Sequence, residues 1–206
     1  MSHSSAVTSL LRRLPAALIV GMLIWLGCRP ILDPAITGLA EILIRGFEYP
    51  RVTQIIAADH HAEVRRSDFR SDSKIPTIPL TENNFNTIVL LALFLALPRP
   101  FSKSQLEKLL MGWCVLYFTQ TLNLVFHVKC LYALGLGEWS QQQYSDFARN
   151  FYGYLRYFTD LPGRFSFPFL IWMGFNWEQI LGLIQLQPLP ASDGAEPRSS
   201  GKKKKK

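Results

Sequence analysis

Four stretches of this 206-residue chain contain no charged side chain: 14–28, 83–98, 109–128 and 165–177. Hydrophobic residues make up 49% of the chain and charged residues 18%, and the two are segregated rather than interleaved. A water-soluble fold threads polar residues through its apolar runs to make solvent faces, so segregation points to a bilayer. A hydrocarbon core of roughly 30 Å takes about 20 helical residues. The run at 109–128 meets that length alone; the other three reach it with their flanks. The chain is read as an all-α integral membrane protein with about four transmembrane helices, near 12–30, 82–98, 108–128 and 163–184. A small extracytoplasmic β-hairpin and an amphipathic interfacial helix complete the expected fold.

The first run has a rival reading as a secretory signal peptide, because Arg12 and Arg13 precede an apolar core of suitable length. Cys28 is followed by Arg29 and Pro30, not by a small-x-small cleavage site. Arg directly after Cys28 is also unsuited to a lipoprotein site. The run is therefore read as an uncleaved anchor. Short loops rich in Lys and Arg stay in the cytoplasm. Arg12, Arg13, Arg99, Lys103 and Lys108 flank the spans on one side with few acids to offset them. Both termini are placed there. The expected organisation is a cytoplasmic N-terminus at 1–11, a polytopic membrane domain at 12–186 and a disordered basic tail at 187–206. Within the membrane domain, 31–81 and 129–162 form the outer segments. The formal charge of +7 is concentrated in that tail. It points to lipid headgroups at Lys202, Lys203, Lys204, Lys205 and Lys206, not to nucleic acid.

Outside the spans the sequence changes character. Pro30 and Pro34 are expected to break the first helix just past the membrane. The spacing of Ile36, Leu39, Ile42 and Leu43 then suggests a short amphipathic helix at the interface, or a kinked extension of the span. Residues 51–80 show no helical stripe. A hairpin with arms near 52–57 and 62–67 fits their β-branched ends and the turn-compatible centre. Asn83, Asn84 and Asn86 suggest helix capping, or a polar mouth. Ser104 and Glu107 have capping-box spacing for the third helix. Thr119, Gln120, Thr121 and Asn123 are expected to bond to neighbouring helices, with a polar path through the membrane as the alternative. Tyr144, Phe147, Phe151, Tyr154 and Phe158 recur at three- and four-residue intervals. They make one aromatic stripe on a helix that faces lipid or a partner.

Candidate chemistry is sparse. His60 and His61 sit between Asp59 and Glu63, but neighbouring strand residues point to opposite faces. They are read as a solvated hairpin tip rather than as metal ligands, and no cofactor is expected. Cys28 and Cys130 both fall near the outer face, where a disulfide is allowed but not indicated. His127 and Cys130, at i and i+3, are the one candidate nucleophilic pair, with Arg149 or Arg156 as oxyanion contacts. No P-loop, nucleophile elbow or metal motif accompanies them.

The run "TENNFNTIVLLALFLALPRP" (81–100) feeds a short turn, and "TDLPGRFSFPFLIWMGFNWEQIL" (159–181) places Pro168 and Trp172 in the last span. This layout, over 14–186, resembles the exosortase H-associated membrane proteins. These are small bacterial multi-pass proteins encoded with an exosortase, a membrane cysteine transpeptidase that processes C-terminal sorting signals. The resemblance implies a non-enzymatic accessory role in the bacterial inner membrane, beside an exosortase or its exported substrate. It names no catalytic residue. The rival classes are a membrane-embedded enzyme using Cys130 and His127, and a small transporter lined by Asn86, Gln120 and Asn123.

Overall fold

The computed structural model describes residues 3–69, 74–178 and 180. It is mostly helical, with one small antiparallel sheet. The chain runs α1 (His3–Gly46), β1 (Thr53–Ala58), β2 (His61–Arg66), β3 (Thr77–Pro79), α2 (Leu80–Asn84) and α3 (Asn86–Leu95). It continues through α4 (Lys103–Leu134), α5 (Glu138–Gln143), α6 (Asp146–Phe158), a π-turn (Thr159–Gly163) and α7 (Arg164–Phe175).

The first helix does not break. It runs unbroken for 44 residues through Pro15, Pro30 and Pro34. A helix-interior proline costs about 3 kcal/mol, because the carbonyl four residues back, Leu26 for Pro30 and Pro30 for Pro34, loses its amide partner. The Thr37 hydroxyl bonds back to the Asp33 carbonyl (3.0 Å) and the Pro34 carbonyl (3.1 Å), and burial of the turns that follow offsets the cost. Beyond the prolines, Ile36, Ala40 and Ile44 are fully buried. At one helical turn apart they form a stripe, and burying each large side chain gives about 1.5–3 kcal/mol. The segment at 35–47 is thus a packed extension of α1 and not a separate interfacial helix.

That stripe packs on the sheet. The strand order is β1-β2-β3. The register pairs Ile55 with Val64 and Ala57 with Ala62, and sets Ala62 opposite Ile78. Alternate residues Ile55, Ala62, Val64 and Ile78 face one core with Leu124, Val128 and Tyr132 of α4. The hairpin is where its pattern put it. Its two-residue turn, Asp59 (φ 45°) and His60 (φ 66°), needs left-handed backbone at both positions, as primed hairpin turns do. The edge of β1 is covered by carboxylates. The Ile55 amide donates to Glu41 (2.9 Å) and the Thr53 amide to Glu48 (3.1 Å). Sheet growth at that edge is thereby blocked. The third strand has only three residues, too few for a period-2 signal.

At the other end of the molecule, Leu90, Phe94, Leu97 and Leu116 form a second core, with Trp113, Phe167 and Ile171 against it. The helices approach closely here. A Cβ on Gly21 would lie 3.1 Å from the Ile88 carbonyl oxygen, and one on Gly112 would lie 3.2 Å from Ile171. The N-cap of α4 is Ser102, whose hydroxyl accepts from the Gln105 amide, two residues ahead of the expected Ser104.

Two helices are long and apolar enough to cross a membrane, over Thr8–Gly46 and Lys103–Leu134. Their outward faces are apolar: Ile19 and Leu23 of α1, and Leu110 and Phe118 of α4, are all about half exposed. The expected spans near 82–98 and 163–184 correspond to shorter helices. The ten residues of α3 rise only about 15 Å, and it ends shortly before Pro98.

Candidate functional site

Two constellations join the elements, and both lie at or beyond the sheet-side ends of the apolar runs. The first surrounds Arg66, the last residue of β2. Its guanidinium donates to Asp68 (3.0 and 2.7 Å) and to Glu48 (3.0 Å). It also lies over three rings, with the central carbon 5.2 Å from Phe69, 4.9 Å from Tyr132 and 4.8 Å from Trp139. Trp139 meets Phe69 and Tyr132 edge-on. Glu48 accepts in addition from the Thr53 hydroxyl, which sits 2.9 Å from the Tyr132 hydroxyl. A planar guanidinium suits this arrangement because it stacks and forks at once. Burial opposes the charge on Arg66, yet the Asp68 hydrogen bond and the nearby carboxylates outweigh it and raise its pKa. The Asp68 carboxyl is held below its ordinary value, chiefly by the same hydrogen bond. This clasp ties the hairpin to α4 and α5.

The second constellation is a layer of buried polar side chains. Asn84 donates to Asp33 (2.6 Å), which also faces Arg29 and His60, each at 3.5 Å. Asn83 donates to the Gln120 carbonyl (3.0 Å) and accepts from Asn123 (2.9 Å). Gln120 donates to Asn86 (2.6 Å) and Thr87 (2.8 Å), and Thr159 donates to Asn123 (3.0 Å). The asparagines therefore do not cap helices: neither α2 nor α3 has a side-chain cap. Their amides are spent across helices because they are buried, where an unmade hydrogen bond costs about 1–3 kcal/mol. Asn86, Gln120 and Asn123 turn toward partners within this layer. Thr119 and Thr121 bond back to carbonyls of their own helix.

The proposed nucleophilic pair falls beside this layer. Cys130 is 4% exposed. His127 faces Asp160 across 3.9 Å, and Asp160 is paired with Arg164, which reaches Glu82 at 3.5 Å. The crevice lined by His127, Arg164, Glu82 and Asn123 encloses about 10 Å³, the lower limit for one water. Arg149 is not brought to this place. It pairs with Asp146 (3.2 Å) on α6, whereas the arginines whose charges act on His127 are Arg156 and Arg164. Cys28, Cys114 and Cys130 are free thiols.

At the hairpin tip the two imidazoles part company. His60 turns to Asp33, and the His61 ring nitrogen lies 2.8 Å from the Asp59 carbonyl. Among the described residues, no group of three or more His, Cys, Asp or Glu side chains is placed to hold a metal. In the aromatic stripe, Phe147, Phe151, Tyr154 and Phe158 stand exposed on α6. Tyr144 precedes the helix and instead packs against Trp139 at the sheet core. Lys202 to Lys206 lie outside the described residues.

The family model described as exosortase H-associated membrane protein matches residues 4–179. The chain belongs to that family. No curated protein and no solved structure matches it. As an exosortase H-associated membrane protein, it has apolar flanks on α1 and α4 that suit a lipid environment. The Arg66 clasp was not legible in the sequence. Its members, Glu48, Arg66, Asp68, Phe69, Tyr132 and Trp139, come from four separate places and share no spacing. The one usable signal was an arginine ending a strand beside Asp68 and Phe69.

Proposed function

We propose that this family member is a non-enzymatic accessory protein of an exosortase-type sorting system in the bacterial inner membrane. In this reading α1, α2–α3, α4 and α7 cross the bilayer, both termini are cytoplasmic, and the sheet with α5 and α6 stands outside. The polar layer marks the outer boundary. Counting back about 20 residues from Asp33 reaches Arg13, and the same count from Asn123 reaches Lys103, the length a bilayer core takes. Basic residues at those inner ends agree with cytoplasmic placement. The lysine tail would meet anionic headgroups at about 1 kcal/mol per residue.

The observation that carries the accessory role is the fate of the groups a catalyst would need. A thiolate nucleophile has to be reachable and paired with a base. Cys130 is sealed in packing, His127 is turned to Asp160, and Arg149 is engaged elsewhere. What remains organised is a rigid outer body, clasped at Arg66 and mounted on membrane helices. Such a body holds an exosortase or its exported substrate near the membrane. The test is sorting-signal processing in cells that carry Cys130→Ser, alone and with His127→Gln. Processing at the unmodified level is expected. Loss of processing by a folded protein present at normal level would establish the cysteine-enzyme reading instead.

A further inference from the structure

The crevice beside the polar layer draws its wall from four elements. Ile78 and Pro79 belong to β3, Glu82 to α2, Asn123 and His127 to α4, and Arg164 to α7. It encloses about 10 Å³. That is room for one water molecule and for nothing larger.

Two nitrogen atoms in this wall are left over. His127 Nε2 and Arg164 Nε are both buried, and neither has a hydrogen-bond partner among the described residues. The rest of the Arg164 guanidinium is engaged, by Asp160 and Glu82. Buried polar atoms are nearly always paired, with protein or with ordered water. A third observation points the same way. His127 Nε2 stands 3.9 Å from Asp160 Oδ2, too far for a direct hydrogen bond and a separation that one interposed water spans.

The chemistry of the wall selects the occupant. Arg164 Nε can only donate, so the occupant has to accept, which excludes a metal cation. The carboxylates of Glu82 and Asp160, both paired with Arg164, disfavour an anion. Water accepts and donates at once. With Arg164, His127 and one carboxylate it gains three partners, the usual number for a buried water. Such a molecule also completes the joint between helices. Arg164 reaches α2 through Glu82 and the π-turn through Asp160, and the π-turn reaches α4 through Thr159 and Asn123. The water adds a link from α7 to α4 through His127.

We propose that this crevice is a binding site for one buried water molecule, held by Arg164 Nε and His127 Nε2, that bridges α7 and α4. It gives His127 a part as a bridge in the helix joint. The proposal rests on neither the membrane placement nor the accessory role, so the outcome of the processing assay leaves it standing. The test is hydroxyl-radical footprinting by brief X-ray radiolysis of the full chain in detergent, read by mass spectrometry. Radicals formed from a bound water oxidise the side chains around it even where bulk solvent does not reach. Leu124 lines the crevice and is 1% exposed; Leu116, on the same helix, is 0% exposed and packs among Leu90, Phe94 and Leu97. Leu124 is expected to be oxidised faster than Leu116 by roughly fivefold or more, as a bound water requires. The contrast should vanish in His127→Phe, whose ring fills the crevice and offers no nitrogen. Equal oxidation of the two leucines in the native chain would overturn the proposal, and that comparison needs no variant to fold. A contrast that His127→Phe leaves intact would also overturn it, because bulk solvent would then be reaching Leu124 by another route.

Discussion

In the sheet-bearing half of the molecule a charge, Arg66, lies among three aromatic rings; the core of the apolar half is built from Leu90, Phe94, Leu97 and Leu116. The sheet is held on α1 and α4 by burial of Ile36, Ile44, Val64 and Val128, and its position is fixed by the guanidinium among Phe69, Tyr132 and Trp139. The apolar half relies on close approach at Gly21 and Gly112 and on neighbours such as Phe94 and Ile171. On the proposed membrane placement, the difference follows from the solvent. In water, apolar burial drives association and a desolvated ion pair then selects one geometry. Between lipid tails there is no such drive, so small residues and interhelical hydrogen bonds carry the assembly. The polar layer from Asp33 to Thr159 lies where one regime gives way to the other.

The sharpest way to break this contrast is Arg66→Met. It leaves Glu48, with a side chain only 10% exposed, as a buried carboxylate without its cation, which costs about 3–5 kcal/mol. Amide exchange should rise across β1, β2 and α5 while α3 and the adjoining part of α4 stay protected. Uniform loss of protection would mean the two halves are one cooperative unit. Next in size is Gly112→Leu, which forces a side chain against Ile171 and Phe94. Overpacking of this kind costs about 1–3 kcal/mol. A lower thermal midpoint in detergent is expected, with exchange in the sheet unchanged.

Gln120→Leu should be milder. It removes two interhelical hydrogen bonds, to Asn86 and Thr87, in a setting where such bonds average about 0.6 kcal/mol. A destabilisation above that of Gly112→Leu would show that the layer, not packing, holds the helices. The smallest effect concerns pH. The Asp68 carboxyl is held below its ordinary value by Arg66. Its stabilising contribution is fully present above about pH 3.9, the unfolded value, and is lost as pH falls through its lower folded value. Acid should loosen the clasp slightly in the native chain, and Asp68→Asn should abolish that part of the acid response. An acid response that Asp68→Asn leaves unaltered would place the titrating group elsewhere.

The hairpin was legible because alternation and a polar two-residue turn are local signals, and α6 because its aromatics keep helical spacing. The continuity of α1 was legible only as one alternative, a kinked extension of the span. Pro30 and Pro34 announce a break locally, and the burial that overrides them comes from strands and from α4, distant in sequence. The asparagines misled for a similar reason: Asn83, Asn84 and Asn86 favour caps when alone, yet here Gln120, Asn123 and Asp33 supply better partners. Arg149 and Arg156 were offered alike as oxyanion contacts; the structure pairs Arg149 with Asp146, whereas the charges of Arg156 and Arg164 act on His127, a distinction that only three-dimensional placement makes.

On the proposed placement the two halves of the molecule face different solvents, with the sheet outside the cell membrane. The direct measurement is labelling of single cysteines by a membrane-impermeant thiol reagent in intact cells, in the chain with its own three cysteines replaced by Ala. His61→Cys, at the hairpin, should label before lysis. Ser104→Cys, at the start of α4, should label only after lysis, and Leu23→Cys, on the apolar face of α1, in neither case. Labelling of Ser104→Cys in intact cells with His61→Cys protected would contradict the orientation, and ready labelling of Leu23→Cys would contradict the membrane placement itself.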